Sequence, residues 1–380
     1  MEEFEYEELV EATQSFSPSR LIGKGSHGSV FKGILKNNKL VAVKKPLHDH
    51  GHGHDHLEAL SDNSKLDNEI RVLSSLRENP FVIGLVGTCH DTNNEDKKLL
   101  VMELMPNGSL HDLLHAHPAD EYSLPSWPKR VEMAIQIARA VHFLHQQRPM
   151  VIHRDIKSAN VLFDSNWDAK LADFGLAVLM PSSQVSQPAG TIGYLDPCYT
   201  TPNKLSSKND VFSFGVVLLE IISGRKAMDM CRTPTSISEW AVGLIKQGRI
   251  EDVCDLRVPV ADYMVNAIKH MVFVALSCVS MNEACRPTMG EIVLGMENCF
   301  RERIRIVPIW TSLLRRVMLA RRHRKLAKKW RQKCDQNVQI LQGEVATCSG
   351  CSGSDQRDHQ QHHTSSSNWK MVIREVILAD

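Results

Sequence analysis

No stretch of this 380-residue chain is apolar for long enough to span a bilayer. The longest apolar run, Val211 to Ile222, is interrupted by Ser213 and Glu220 and reads as a buried helix instead. There is no signal-peptide layout, and residue 2 is Glu rather than Gly, which excludes N-myristoylation. The ten cysteines are scattered, without the dense, even spacing of a secreted disulfide framework, so free thiols in a reducing compartment are expected. Internal repeats are missing as well. What remains is a chain long enough to bury a substantial core, with about 280 residues of folded unit and about 80 left over.

Against these absences stands one dense constellation. His153-Arg154-Asp155-Ile156-Lys157-Ser158-Ala159-Asn160 is followed by Asp173-Phe174-Gly175. Phosphoryl transfer from ATP needs a carboxylate near the attacking hydroxyl, a second on the metal bridging the phosphates, and an Asn or equivalent for another ion. Asp155, Asp173 and Asn160 supply these in the order and spacing of a known signature.

Upstream, Gly23-Lys24-Gly25-Ser26-His27-Gly28-Ser29-Val30 is a G-x-G-x-x-G-x-V run. Glycines let a backbone approach phosphate oxygens closely. A dinucleotide-binding turn has similar spacing but needs a helix directly after it. Here Phe31-Lys32-Gly33-Ile34 and Lys39-Leu40-Val41-Ala42-Val43-Lys44 read as two strands of a hairpin, which places Lys44 at the phosphates. Lys44 then needs an acidic partner on a helix. Residues 64–77 offer one, with Ser64 and Asp67 as a capping box and Leu66, Ile70 and Leu73 at helical spacing. Glu69 lies beside that stripe and is the expected partner, since Asp67 falls one helical step off the required face.

Residues from about 14 to 300 resemble a protein kinase, and more narrowly the plant receptor-like kinases related to Pelle. The resemblance is carried by Phe4-Glu5-Tyr6-Glu7-Glu8-Leu9, Leu104-Met105-Pro106-Asn107-Gly108-Ser109-Leu110, Gly190-Thr191-Ile192-Gly193-Tyr194-Leu195-Asp196-Pro197 and Asp210-Val211-Phe212-Ser213-Phe214-Gly215. Within that group the chain looks most like a receptor-like cytoplasmic serine/threonine kinase, one without an ectodomain. The resemblance implies an α+β, bilobal fold. A five-stranded lobe with one regulatory helix runs to about 104, and a larger, mainly helical lobe from about 105 to 300. Residues 1–13 form a lead-in. It further implies that Ile22, Gly23, Gly25, Gly28, Val30, Ala42, Lys44, Met102, Glu103, Met105 and Leu162 surround ATP, with Met102 as gatekeeper and the backbone of Glu103 and Met105 on the adenine edge. Asp155 and Lys157 are the expected catalytic pair, Glu69 positions Lys44, and Asn160 and Asp173 bind Mg²⁺, with Mn²⁺ as a substitute. Lys157 and Thr191 point to Ser or Thr as acceptor, and Asp210 is expected to brace the catalytic-loop backbone.

One position departs from the family. After Tyr194-Leu195-Asp196-Pro197 the usual Glu is replaced by Cys198, so Arg286, its expected partner, must find another acceptor or reach water. This departure is the only sequence support for a competing reading, a pseudokinase scaffold that binds nucleotide and a receptor partner. Between Asp173 and Cys198, Ser182, Ser183, Ser186 and Thr191 are candidate phosphosites. A phosphate on one of the serines would meet Arg154 and order the segment, whereas Thr191 is expected to contact Asp155 and Lys157.

Two segments lie outside this pattern. His48, His50, His52, His54 and His56 alternate with small or acidic residues, as a flexible insertion, a metal-binding tract or a pH-sensitive loop. Residues 301–333 carry 13 Lys and Arg against one acid, Glu302, while 334–380 carry three basic and six acidic groups. With a whole-chain charge of +1, residues 1–300 are left at −8. Ile306, Trp310, Leu313, Leu314 and Val317 share a helical face, so 301–333 reads as a basic amphipathic arm. It suits docking on the acidic kinase body, an anionic membrane surface, calmodulin, or nuclear import through Arg321-Arg322-His323-Arg324-Lys325. No specific nucleic acid is expected. Residues 334–380 are expected to be mostly disordered. The overall expectation is a cytoplasmic kinase acting on protein substrates, under an upstream receptor kinase. Peripheral plasma-membrane attachment or nuclear import depends on the arm.

Overall fold

A computed structural model of the chain describes residues 1–25, 28–46, 56–91, 94–115, 124–181, 187–201 and 204–301. The His tract from 48 to 54, the serines at 182, 183 and 186, the basic arm beyond Arg301 and the tail lie outside these residues.

The N-terminal lobe is built on one sheet. Its strands are β1 (Glu2–Glu3), β2 (Leu21–Gly25), β3 (Gly28–Ile34), β4 (Leu40–Lys45), β5 (Leu85–Asp91) and β6 (Asn94–Glu103), in the order β1-β5-β6-β4-β3-β2. Five strands were expected; the sixth is β1, which runs parallel to β5 with Glu2 opposite Gly87 and Glu3 opposite Thr88. Gly87 makes this approach feasible, because a Cβ there would overlap the Glu2 carbonyl oxygen and the Phe4 ring. Phe4 and helix α1 (Tyr6–Ala12) then cover one sheet face. Phe4, Leu9 and Ala12 are buried with Leu35, Val41, Val43, Cys89, Leu99 and Val101 in a small separate core. The lead-in is thus part of the lobe's packing.

Helix α2 spans His56–Ser75. It begins eight residues before the expected start, so Ser64 lies inside the helix and does not cap it. Leu57-Glu58-Ala59-Leu60 are strong helix formers, and their propensity extends the helix past the capping-box signal. Leu66, Val72 and Leu73 are buried from this helix, and Glu69 is only 1% exposed.

The C-terminal lobe contains α3 (Leu110–His115), α4 (Trp127–His145), β7 (Met150–Ile152), β8 (Val161–Phe163), β9 (Ala169–Leu171), β10 (Val178–Met180), α5 (Ser207–Ser223), α6 (Ile237–Lys246), α7 (Val265–Cys278) and α8 (Met289–Arg301). Two short antiparallel pairs, β7–β10 and β8–β9, carry the segments around Asp155 and Asp173. Helix α5 is the apolar run seen in the sequence, and every residue from Asn209 to Ser223 is buried. A Ser206–Asn209 capping box starts it, and Gly224, at φ 64°, ends it. A helix apolar all round must be enclosed by others; α4 and α7 pack on it through the lobe's main core.

His270, on α7 against Gly295 of α8, is a pH-sensitive element of this core. Burial pushes its pKa down from 6.5 to about 4. Below about pH 6.5 the unfolded chain takes up a proton that the folded chain refuses, so stability declines as pH falls through that window and is fully present above it. At about 1.4 kcal/mol per pH unit, the loss by pH 4 is on the order of 3 kcal/mol. Urea unfolding midpoints at pH 7 and 5 should show this slope, and His270→Gln should flatten it.

Candidate active site

The cleft side of the sheet follows from strand register. Lys44 faces Val30 on β3 and Leu100 on β6, and Ala42 faces Met102. Side chains two apart share a sheet face, so Val30, Ala42, Lys44 and Met102 line the same side. Ala42, Met102 and Met105 are buried, Val30 and Leu162 are half-buried, and Ile22 at the lip is exposed. The Glu103 amide already donates to Gly84 O (3.0 Å), which leaves its carbonyl for a ligand edge. Its carboxylate has a role the sequence did not reveal: it accepts from the Gly84 amide at 2.6 Å and from Lys170 Nζ through both oxygens at 2.8 Å.

Gly23 and Gly25 lie on β2, and Gly25 pairs with Gly28, the first residue of β3. Gly28 sits at φ 141°, and a Cβ there would come within 2.5 Å of the Lys45 carbonyl oxygen. Gly28→Ala should therefore distort the loop and raise KM for ATP about tenfold or more, with a smaller effect on melting temperature. Steady-state kinetics with varied ATP would check this.

Lys44 Nζ meets Glu69 Oε2 at 2.6 Å and Asp173 Oδ1 at 3.1 Å. Burial opposes the lysine's charge, but the two carboxylates outweigh it and raise the pKa above its ordinary value. Glu69 uses its other oxygen to accept from the Phe174 amide at 3.2 Å, so one carboxylate ties the strand lysine to the Asp-Phe-Gly turn. Asp67 instead pairs with Lys98 at the surface. Asn68, which sequence reasoning passed over, donates from Nδ2 to the carbonyls of Phe174, Gly175 and Ala177 at 3.3, 3.0 and 2.8 Å. Nothing in its residue type signals that contact. Asp173 itself sits at φ 65°, a costly conformation for a non-glycine, held by Lys44 on its side chain and by these bonds to the residues that follow it.

Asp155 is 4% exposed and sits among donors. Thr191 Oγ1 donates to its Oδ1 (2.6 Å), Lys157 Nζ to its Oδ2 (2.7 Å), and Asn160 Nδ2 to its Oδ2 (3.1 Å) and carbonyl oxygen (2.8 Å). Lys157 also donates to Thr191 Oγ1 at 2.9 Å. The loop is anchored from below by fully buried Asp210 at the start of α5. Asp210 accepts from the amides of His153 and Arg154 at 2.9 Å each and lies 2.9 Å from His145 Nε2. Burial works against ionisation here, but His145 and the His153 amide hold the Asp210 pKa below the usual carboxylate range. The His153 ring packs edge-on against the buried Phe174 ring, centroids 4.8 Å apart.

Arg154, at φ 68°, spends its guanidinium on the carbonyls of Leu176 (2.7 Å) and Gln187 (3.2 Å) and on the Tyr199 hydroxyl (3.4 Å). Arg286 does find another acceptor. Both its terminal nitrogens bind Asp196, one at 2.8 Å, and it also donates to the carbonyls of Ser280 and Lys208 and lies over the Phe212 ring. The Cys198 amide donates to Asp196 Oδ1 at 2.9 Å, but its thiol takes no part and faces Met281 O at 3.1 Å. The Asp196 carboxylate, which burial alone would raise in pKa, is held low chiefly by the Arg286 bonds.

A two-lobed molecule with a glycine-rich hairpin over a Lys–Glu–Asp cluster, facing a braced aspartate and asparagine, is a phosphotransferase of the kind that draws on ATP. Residues 16–304 match the protein kinase domain family, and the chain belongs to it. It is 47% identical over 336 residues to a serine/threonine-protein kinase-like protein of Arabidopsis thaliana, covering 86% of this chain and 95% of that protein. A second protein of that description from the same plant is 43% identical over 317 residues, 82% of this chain and 65% of the other. A proline-rich receptor-like protein kinase of the same plant is 37% identical over 307 residues; they span 78% of this chain but 41% of that protein. The protein is a serine/threonine protein kinase of the plant receptor-like kinase type. Among the described residues, no helix is long and apolar enough to cross a membrane.

Proposed function

We propose that the chain is a working phosphotransferase, not a nucleotide-binding scaffold, and that it passes the γ-phosphoryl group of ATP to Ser or Thr of protein substrates. The observation that carries this is Lys44 held between Glu69 and Asp173 while Asp155 sits among Thr191, Lys157 and Asn160. Lys44 binds the α- and β-phosphates. Asp155 orients the substrate hydroxyl and takes its proton as the oxygen–phosphorus bond forms and the bond to the departing ADP oxygen breaks. Asp155 Oδ2 already accepts from both Lys157 and Asn160, whereas Oδ1 accepts only from Thr191 and keeps a second lone pair for that hydroxyl. Lys157 steadies the charge on the transferring group, and Thr191 fixes the distance between lysine and aspartate.

The donor set suits a hard divalent ion such as Mg²⁺, with Mn²⁺ as a substitute: a half-exposed carboxylate at Asp173, and at Asn160 an amide whose nitrogen is committed to Asp155, leaving its oxygen. When bound, the ion neutralises phosphate charge. Peptides offering Ser, Thr or Tyr should be phosphorylated on Ser or Thr only, with Mg²⁺ required, and Lys44→Met should remove the activity. Equal use of tyrosine, or transfer that survives Lys44→Met, would reject the assignment.

Receptor-like kinases among the relatives support a place downstream of a receptor kinase in the cytoplasm. Phosphorylation of Ser182, Ser183 or Ser186 then orders the activation segment. Arg154 supports this reading, because it holds the carbonyl of Gln187, the residue after Ser186. The arm at 301–333 has the charge and apolar face for an anionic membrane or calmodulin.

A further inference from the structure

A second cluster of chemically capable side chains lies in the large lobe, apart from the phosphate-binding groups. His111 and His115 are four residues apart on α3, their ring centroids 4.9 Å from each other. Glu220 reaches them from the last turn of α5, with His115 Nε2 3.1 Å from Glu220 Oε1. One ligand atom from each of the three residues lies within 4.8 Å of the others.

We propose that His111, His115 and Glu220 form a binding site for a divalent transition-metal ion of zinc's class. Two histidines four apart on one helical face are a zinc-binding spacing, and a carboxylate from another helix completes a two-His, one-Glu set with a fourth position left for water. Imidazole and carboxylate together select Zn²⁺ and its first-row neighbours over Mg²⁺ or Ca²⁺. Ligand bonds of about 2.0–2.1 Å in a tetrahedron put ligand atoms about 3.3 Å apart. The His115–Glu220 edge, 3.1 Å, is already close to that length, and His111 closes the remainder by swinging its half-buried ring inward by up to about 1.5 Å.

The charge balance points the same way. Glu220 is fully buried, and among the described residues no Lys or Arg forms an ion pair with it. Its other partners are hydroxyls: Tyr194 at 2.8 Å and Ser158 at 3.3 Å. A buried carboxylate without a fixed cation is costly, and a divalent ion supplies the missing charge. Ser158 follows Lys157 and Tyr194 follows Thr191 by three residues, so occupancy of Glu220 reaches both loops that meet at Asp155.

The test must separate this site from the His tract and the cysteines. In the full-length chain with His48, His50, His52, His54 and His56 all replaced by Ser, and without ATP, Co²⁺ is titrated as a spectroscopic probe. One Co²⁺ should bind with visible bands of four- or five-coordinate N/O ligation and no thiolate charge-transfer band. His111→Ala should weaken that binding by about a hundredfold or more, since even outer partners of metal ligands are worth 10–100-fold. Glu220→Gln, which preserves shape, should do the same, with circular dichroism showing both variants folded. Unchanged Co²⁺ affinity in folded His111→Ala, or a thiolate spectrum in the parent, would overturn the proposal.

Discussion

Asp155→Asn should lower kcat by about 10²–10⁴-fold, the range set by loss of a positioned general base, while ATP affinity stays within a few-fold. The substitution keeps the side chain's shape and removes both its charge and one of its two acceptor oxygens. Three donors then compete for one amide oxygen: Thr191 Oγ1, Lys157 Nζ and Asn160 Nδ2. The new NH₂ group also points a donor where the substrate hydroxyl must lose its proton. Lys44 takes its position from Glu69 and Asp173, so the nucleotide half of the site should remain intact. Steady-state kinetics with a serine peptide gives kcat, and fluorescence titration with a nucleotide analogue gives Kd. A parallel fall in affinity would mean that Asp155 shapes the nucleotide site and not the transfer step.

Arg286→Met should have the largest effect on stability, a loss of about 3–5 kcal/mol, because it leaves the Asp196 carboxylate buried and uncompensated. Both side chains are 0% exposed, so water cannot replace the lost partner. The carbonyls of Ser280 and Lys208 also lose their donor, and Asp196 would keep only the Cys198 amide and Asn209 Nδ2. For a folded unit of this size the loss corresponds to a melting temperature lower by roughly ten degrees. Asp196→Asn combined with Arg286→Met should recover part of it, since no charge is then stranded. Cys198→Glu, which restores the family's usual residue, should shift stability by no more than about 1 kcal/mol, because Arg286 already has its acceptors. Thermal unfolding by circular dichroism orders these variants; a large gain from Cys198→Glu would show that Asp196 is an inadequate partner.

Arg286 illustrates what a single sequence conceals. Its need for an acceptor was legible from the Cys198 replacement, but the acceptor's identity was not. Asp196 is two residues away from the expected position, and only the folded turn presents its carboxylate. The sequence was most informative where chemistry demands a residue type at fixed spacing. Asp155, Asn160, Asp173 and Lys44 could be placed by motif, and Glu69 by helical phase. The α2 boundary was misjudged because a local capping signal at Ser64 competed with helix propensity over the preceding turn. The strand β1 was missed because two acidic residues carry no strand signal; their pairing depends on Gly87, far along the chain. Asn68 and the Glu103–Lys170 pair were invisible for a related reason. Each is an ordinary polar side chain whose partner lies at least 67 residues away.

The His145–Asp210–His153 arrangement lies between these cases. Asp210 could be assigned to the catalytic loop from the resemblance, but the contribution of His145, at the last position of α4, depends on where that helix ends relative to α5.

Lys44 with Glu69 and Asp173, and Asp155 with Thr191 and Lys157, already hold their contacts without a phosphate on the activation segment, so basal transfer should precede whatever ordering phosphorylation adds. The most direct measurement uses full-length protein treated with phosphatase, with complete removal of phosphate verified by mass spectrometry and the phosphatase then removed. Its initial rate of phosphate transfer from Mg²⁺-ATP to a serine peptide is followed before autophosphorylation accumulates. Transfer from the first turnovers, abolished in Asp155→Asn, is the predicted result; bound nucleotide with no transfer until an upstream kinase acts would contradict it.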